Sequence, residues 1–192
     1  MPNWVFNKLE ITGDDEKLEK LSGILSAPYK GEDNGLINFL NLIAPPDDKW
    51  KIYYTDWLGS GTETERSPWN WYEWNLDNWG TKWNANGSEV MNGDRFICLS
   101  FNTAWSPPGP VIDALSTLAF ELGIENISYT WEEEQGFGED ACWEPLRGWQ
   151  IVEQWEIPTT HAEMELRGEC HCSIWEEKVF DDCPKLLSEV GA

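Results

Sequence analysis

Basic side chains are scarce in this 192-residue sequence. It has 13 lysines and arginines against 35 aspartates and glutamates, so its formal net charge is −22. A field of this sign repels nucleic-acid phosphates and membrane headgroups, and it speeds the capture of a basic surface. We therefore expect a basic protein as partner, with no direct binding to nucleic acid or to a membrane.

Histidines and the usual catalytic motifs are also scarce. The sequence has two histidines, the side chains that most readily serve as a base near neutral pH. It has no Gly-x-Ser-x-Gly, no phosphate-binding Gly-rich loop and no His-Glu-x-x-His. With 35 acids, neighbouring carboxylates are unavoidable and do not indicate acid/base catalysis. We expect no enzyme, no catalytic residues and no cofactor.

Long apolar runs are missing, and the first residues lack the basic start and apolar stretch of a secretion signal. We therefore expect a cytoplasmic protein.

The five cysteines are an odd number, and in a reducing compartment they favour free thiols over disulfides. Zinc could use the soft ligands of one segment, but no Cys-x-x-Cys spacing supports it. These residues are Cys170, His171, Cys172 and Cys183.

Two strands and two helices can be read from the spacing of apolar residues. Residues 4–12 and 95–103 alternate apolar side chains, which is typical of strands. After Gly13, acidic residues followed by leucines at helical spacing predict a first helix. Prolines at 107–110, an apolar face and then Gly123 predict a second helix.

Later strands complete a predicted α+β fold. Apolar residues alternate in the segments near 126–134 and 142–157. The order strand, helix, strands, helix, strand is that of a ferredoxin-like split βαβ sandwich, an antiparallel sheet with two helices on one face. We expect this domain over residues 1–140, with a Trp-rich insertion at about 51–93, and a C-terminal extension, 141–192, packed on the same domain.

Three short motifs occur in order: PNWVFNKLEITG at the start, NWGTKWN at 78–84 and FNTAWSPPGPVIDALS at 101–116. Together they resemble the YubB-like ferredoxin-like domain family of plasmids, prophages and phages. The resemblance covers roughly residues 1 to 140 and implies a ferredoxin-like fold and residence on a mobile genetic element. It implies no established activity and no site residues.

Indole side chains are concentrated between residues 69 and 84. Such large, stiff side chains either build a core or offer a docking surface. Those in the NWGTKWN motif are expected to pack. Those before it are the candidates for an exposed docking surface: Trp69, Trp71 and Trp74.

A second group could bind a small anionic, planar ligand such as a nucleotide. A lysine, indole faces and the start of the second predicted helix would supply charge, stacking and N–H donors. The alternative is that these indoles seal the uncovered face or the end of a small sheet, with the lysine stacked on a ring. The residues concerned are Trp79, Lys82, Trp83, Asn84, Trp105 and Ser106.

Acidic clusters lie mainly in the second half of the chain, where 19 acids face 4 bases. Carboxylates in rows could imitate the phosphates of DNA, although a solvated face is the ordinary alternative. Since mobile elements must survive restriction and CRISPR systems, we expect an inhibitor of a nucleic-acid-binding host defence protein. Its partner-binding carboxylates would be Glu132, Glu133, Glu134, Glu139, Asp140, Glu176, Glu177, Asp181 and Asp182.

Overall fold

The computed structural model describes residues 3–31, 35–57, 69–157 and 159–166. These residues fall into two compact units. The first contains the described residues up to Glu134 together with Gly138–Gln154. The second contains Gln135–Phe137 and the described residues from Trp155 onward. No helix within the described ranges has the length and apolar character needed to cross a membrane.

The architecture is α+β, as the sequence predicts, and the described residues form a six-stranded sheet in the order β2-β3-β1-β4-β5-β6. The pairs β2–β3, β3–β1, β1–β4 and β4–β5 are all antiparallel. The strands are β1 (Trp4–Thr12), β2 (Asn86–Gly93), β3 (Phe96–Ala104), β4 (Asn126–Glu133), β5 (Gly138–Glu144) and β6 (Gly148–Trp155).

Within the described ranges, five helices and a short 3-10 helix accompany the sheet. α1 begins at its acidic residues because carboxylates are favourable at a helix N-terminus, and α4 ends at Gly123, whose φ of 71° suits glycine. The helices are α1 (Asp15–Ser26), α2 (Trp50–Trp57), α3 (Trp71–Trp79), α4 (Gly109–Leu122) and α5 (His161–Leu166), with the 3-10 helix at Phe39–Asn41.

The core lies between one side of the sheet and the helices of the first unit. Val5, Leu9 and Ile11 alternate along β1 and are fully buried. Buried leucines of α1, such as Leu21, and of α4, such as Leu115, belong to the same cluster as Leu9 and Ile11. This period-two burial is expected for a strand covered on one side.

The predicted insertion, 51–93, contains helices as well as a strand. Within its described residues lie most of α2, all of α3 and the edge strand β2. The boundary expected near residue 140 falls inside β5, and the sheet continues through β6. The observed sheet has more strands than the sheet of the expected ferredoxin-like sandwich, because β5 and β6 extend it beyond β4.

Candidate functional site

The side of the sheet opposite the helices carries polar and charged side chains on its central strand. On β1, Phe6, Lys8 and Glu10 alternate with the buried residues Val5 and Leu9 and are exposed. Phe6 keeps 53% of its surface exposed although it lies on the central part of the sheet. Phe6 therefore presents an aromatic ring to the solvent on this side of the sheet.

Neighbouring strands bring more polar side chains beside those of β1, since directly opposed residues point to the same side. Lys8 lies opposite Ser100 on β3 and Thr130 on β4. Ser100 lies opposite Glu89 on β2, and Thr130 lies opposite Asp140 on β5. We call the following set the open face: Phe6, Lys8, Glu10, Glu89, Ser100, Asn102, Thr130, Glu132 and Asp140.

A groove of about 370 Å³ runs across the open face. Phe6, Glu89, Asn102 and Glu132 are among the residues that line it. Phe6 lies directly opposite both Asn102 and Glu132. The groove therefore combines an aromatic ring with carboxylates on two other strands.

The open face is negatively charged. Its four carboxylates, on Glu10, Glu89, Glu132 and Asp140, and its single ammonium group, on Lys8, leave a formal charge of −3. Lys8 Nζ is 2.9 Å from Glu10 Oε1, and this hydrogen-bonded pairing raises the pKa of Lys8. Lys8 is thus the one cation of the open face, and it is hydrogen-bonded to Glu10.

The run Glu132-Glu133-Glu134 is divided by the geometry of β4. Glu132 lies on the open face, while Glu133 points to the opposite side and is buried. Glu134 is exposed just beyond the strand, where its N–H donates to the Trp4 carbonyl. We therefore correct the expectation for Glu133, because a buried carboxylate cannot form part of a docking surface.

The next acidic pair is divided in the same way. Asp140 lies on the open face, whereas Glu139 lies opposite Trp131, on the side of the helices, and accepts a hydrogen bond from Gln154. Adjacent residues of a strand point to opposite sides of the sheet, so neighbouring acids in sequence do not form one surface. The remaining predicted carboxylates lie outside the described residues: Glu176, Glu177, Asp181 and Asp182.

The candidate zinc ligands Cys170, His171, Cys172 and Cys183 also lie outside the described residues. Among the residues that are described, no group of three or more His, Cys, Asp or Glu side chains could hold a metal ion. Cys98 is a buried free thiol and Cys142 a half-buried one.

Most of the indoles between 69 and 79 take part in the core. Trp74 and Trp79 are buried, and their rings meet edge to face at 5.6 Å. Trp69 and Trp71 are half-buried and pack against the same cluster. Trp74 was expected on a docking surface, and we correct this, because its ring is enclosed between Tyr53 and Trp79.

Lys82 is surrounded by aromatic rings of its own chain. Its Nζ lies 4.6 Å from the ring centroid of Trp83, 4.8 Å from that of Trp105 and 5.7 Å from that of Tyr72. These are cation–π distances, so the charge of Lys82 is stabilised within the chain. The sequence anticipated this arrangement as the alternative to ligand binding.

The other proposed ligand-binding residues hold loops together. Asn84 accepts a hydrogen bond from the Phe39 N–H and donates to Asn38, both at 2.9 Å. Ser106 donates to the Gly80 carbonyl. These contacts join the NWGTKWN segment to its neighbours in the fold.

The start of α4 has few N–H groups to offer an anion. Pro110 has none, Gly109 donates to the Pro107 carbonyl, and Val111 and Ile112 both donate to the Pro108 carbonyl. Trp105, just before this helix, is exposed and has a left-handed backbone with φ of 73°. The proposed anion site therefore lacks its main donors.

Sequence reasoning missed most members of the open face, among them Phe6, Glu10 and Glu89. A signal was present for the first two, since they alternate with the apolar residues of β1 that enter the core. Glu89 had no such signal. Its place depends on the pairing of β2 with β3, which follows from the whole fold.

Comparison with known proteins identifies a solved structure with a similar fold, and it supports no statement about function. No protein-family model matches the sequence, and no curated protein matches it. A crystal structure of the protein Api92 from Yersinia pseudotuberculosis, with the family model DUF1281, is similar to this chain with a TM-score of 0.53. The two are 10% identical, and the match covers 82% of this chain and 99% of the other.

Proposed function

We propose that this chain is a non-catalytic protein that binds a basic partner protein through the open face of its sheet. One observation carries the proposal: carboxylates from four different strands share this face with one lysine, which is already paired. Charge complementarity of this kind speeds association and selects basic surfaces. The sign of the face also agrees with the net charge of the whole chain.

Arginine is the side chain that best fits the groove. Glu132 lies directly opposite Phe6, so a guanidinium could pair with the carboxylate while stacking on the ring. Glu89 lies on β2, three strand spacings from Glu132, which corresponds to about 14 Å. Two basic side chains of one partner could therefore bind on either side of Phe6.

The proposed partner is a nucleic-acid-binding defence protein of the host, so that the chain acts as an anti-CRISPR or anti-restriction inhibitor in the host cytoplasm. The resemblance to a family of plasmids and phages supports this choice, since such elements meet these defences. Duplex DNA presents one charge per about 1.7 Å of axis, much denser than the open face. The DNA mimicry we propose is therefore competition for individual basic side chains of the partner.

The alternative, a module that sequesters a nucleotide or signalling molecule, has weaker support. Lys82 is stabilised by three rings of its own chain, and the first N–H groups of α4 bind carbonyls of the preceding prolines. A ligand would have to displace these contacts. Trp105 is exposed, but its ring is one of the three that surround Lys82.

We also propose that β1, α1, β2, β3, α4 and β4 form a ferredoxin-like split βαβ unit of the YubB-like type. The strand order β2-β3-β1-β4 and the antiparallel pairings support this classification. On this view, β5 and β6 are additions to the unit.

A matched pair of charge reversals tests the proposed surface. The face variant is Glu89→Lys with Glu132→Lys, and the control is Glu19→Lys with Glu121→Lys, two exposed positions on α1 and α4. Both variants change the net charge equally. Each immobilised protein is exposed to host extract at low and high salt, and a captured protein is then purified and its affinity measured.

The face variant should lose the partner, and the control should keep it. Binding should weaken steeply as salt rises, and duplex DNA should compete with the chain for the partner. Equal losses in both variants would mean that the total charge matters and the open face does not. Binding that is indifferent to salt would contradict the electrostatic mechanism.

A further inference from the structure

β6 forms one outer edge of the sheet in the described part of the chain. An outer strand presents unpaired N–H and C=O groups, and proteins usually protect such edges with bulges, prolines or charges. The other outer strand, β2, contains Gly87 and Gly93 and has a register shift between Asn86 and Glu89. β6 has no proline, lysine or arginine, and no glycine after its first residue.

Apolar side chains of β6 are exposed on both sides of the strand. Ile151 and Val152 are adjacent, so they point to opposite sides of the sheet, and they keep 60% and 70% of their surfaces exposed. Glu153 is the single charged residue of the strand. An edge strand with one charged residue and exposed apolar side chains favours pairing with another strand.

The sequence of β6 is nearly symmetric about its centre. From Trp149 to Trp155 it reads Trp-Gln-Ile-Val-Glu-Gln-Trp, with Val152 in the middle. In an antiparallel pair of two such strands centred on this residue, Val152 lies opposite Val152 of the second copy. Each terminal tryptophan then lies opposite a tryptophan, each glutamine opposite a glutamine, and Ile151 opposite Glu153.

We propose that β6 pairs with β6 of a second copy of this chain, antiparallel and centred on Val152, so that two six-stranded sheets become one continuous sheet. A two-fold interface requires a surface that is complementary to itself, and this strand has that property. Main-chain hydrogen bonds supply the attraction, while the opposed valines and tryptophans set the register. The pairing is independent of the open face and of its proposed partner.

Two lysine substitutions at neighbouring positions test both the partner and the register. Val152→Lys places two lysines directly opposite each other, whereas Ile151→Lys places each lysine opposite Glu153 of the other copy. Leu146→Lys is the control, because this residue is 97% exposed in the turn between β5 and β6 and changes the charge by the same amount. Sedimentation equilibrium of the full chain measures the dimer dissociation constant of each variant.

The unmodified chain should dimerise reversibly, and more tightly as salt screens the repulsion between two acidic copies. Val152→Lys should weaken the dimer about tenfold relative to the control, and Ile151→Lys should tighten it about fivefold. Adding Glu153→Lys to Ile151→Lys should reverse that gain. Equal weakening by both single lysines would overturn the proposed register, and a monomer at concentrations of about 1 mM would overturn the dimer itself.

Discussion

Removing the hydroxyl of Tyr129 should destabilise the fold, because it leaves a buried acceptor unpaired. This hydroxyl donates a hydrogen bond of 2.7 Å to Oδ1 of Asn7 on the neighbouring strand, and both residues are buried. Asn7 Nδ2 in turn donates to the Val5 carbonyl at 2.9 Å and to Thr103 Oγ1 at 3.0 Å. Asn7 therefore links β1 to β3 and β4 from within the core.

The expected loss in the free energy of unfolding depends on which buried groups lose a hydrogen-bond partner. Tyr129→Phe keeps the ring against Trp149 and removes one donor, so it should cost about 1–3 kcal/mol. Asn7→Leu should cost about 2–4 kcal/mol, since both the Tyr129 hydroxyl and the Val5 carbonyl lose a partner. The double variant should cost about 1–2 kcal/mol less than the two single costs added together, because the broken pair is then counted once.

Urea unfolding of the four proteins, followed by tryptophan fluorescence, measures this coupling. The dependence of the unfolding free energy on urea should stay the same in all four, so that differences in midpoint report stability. Thr117→Val, which removes an exposed hydroxyl from α4, is a control and should have little effect. The reasoning would be refuted if the costs of the two single variants, added together, equalled the cost of the double variant to within about 0.5 kcal/mol.

Two further predictions concern the aromatic core. Trp79→Ala should cost about 3–5 kcal/mol in the same urea assay, since the buried ring packs edge to face on Phe39 and its Nε1 donates to the Ile43 carbonyl; a loss under about 1 kcal/mol would contradict this. Burial raises the pKa of Tyr53 and of Tyr129 above the ordinary tyrosine value. Their contribution to stability is therefore complete below about pH 10 and is lost as pH rises above it, because the unfolded chain releases these protons first. The urea midpoint should fall at alkaline pH, and less in Tyr129→Phe than in the unmodified chain; an equal fall would argue against Tyr129 as a source.

Much of the fold can be predicted from local patterns. The alternation in residues 4–12 and 95–103 predicted β1 and β3, and the leucine spacing after Gly13 predicted α1. The prolines before residue 111 and Gly123 predicted both ends of α4. Each of these signals lies within one element, where backbone geometry alone relates the spacing of residues to the side they face.

The candidate site could be predicted only in part. The acidity of the chain was evident, and two of the carboxylates named from the sequence, Glu132 and Asp140, lie on the open face. The prediction that Glu133 belongs to a docking surface was wrong, because adjacent residues of a strand face opposite sides of the sheet. The run of three acids obscured this rule. The prediction that Trp74 lies on a docking surface was wrong, because a large aromatic side chain suits a core and a docking surface equally well.

What the sequence by itself determined is the sign of the charge, the α+β class and the side of β1 that enters the core. Only the tertiary structure decided that Glu89 shares a face with Glu132, and that Lys82 lies among three rings. The physical reason is distance along the chain. Neighbours in a sheet such as Lys8 and Ser100 are 92 residues apart, and their pairing depends on the total free energy of the fold rather than on any local pattern.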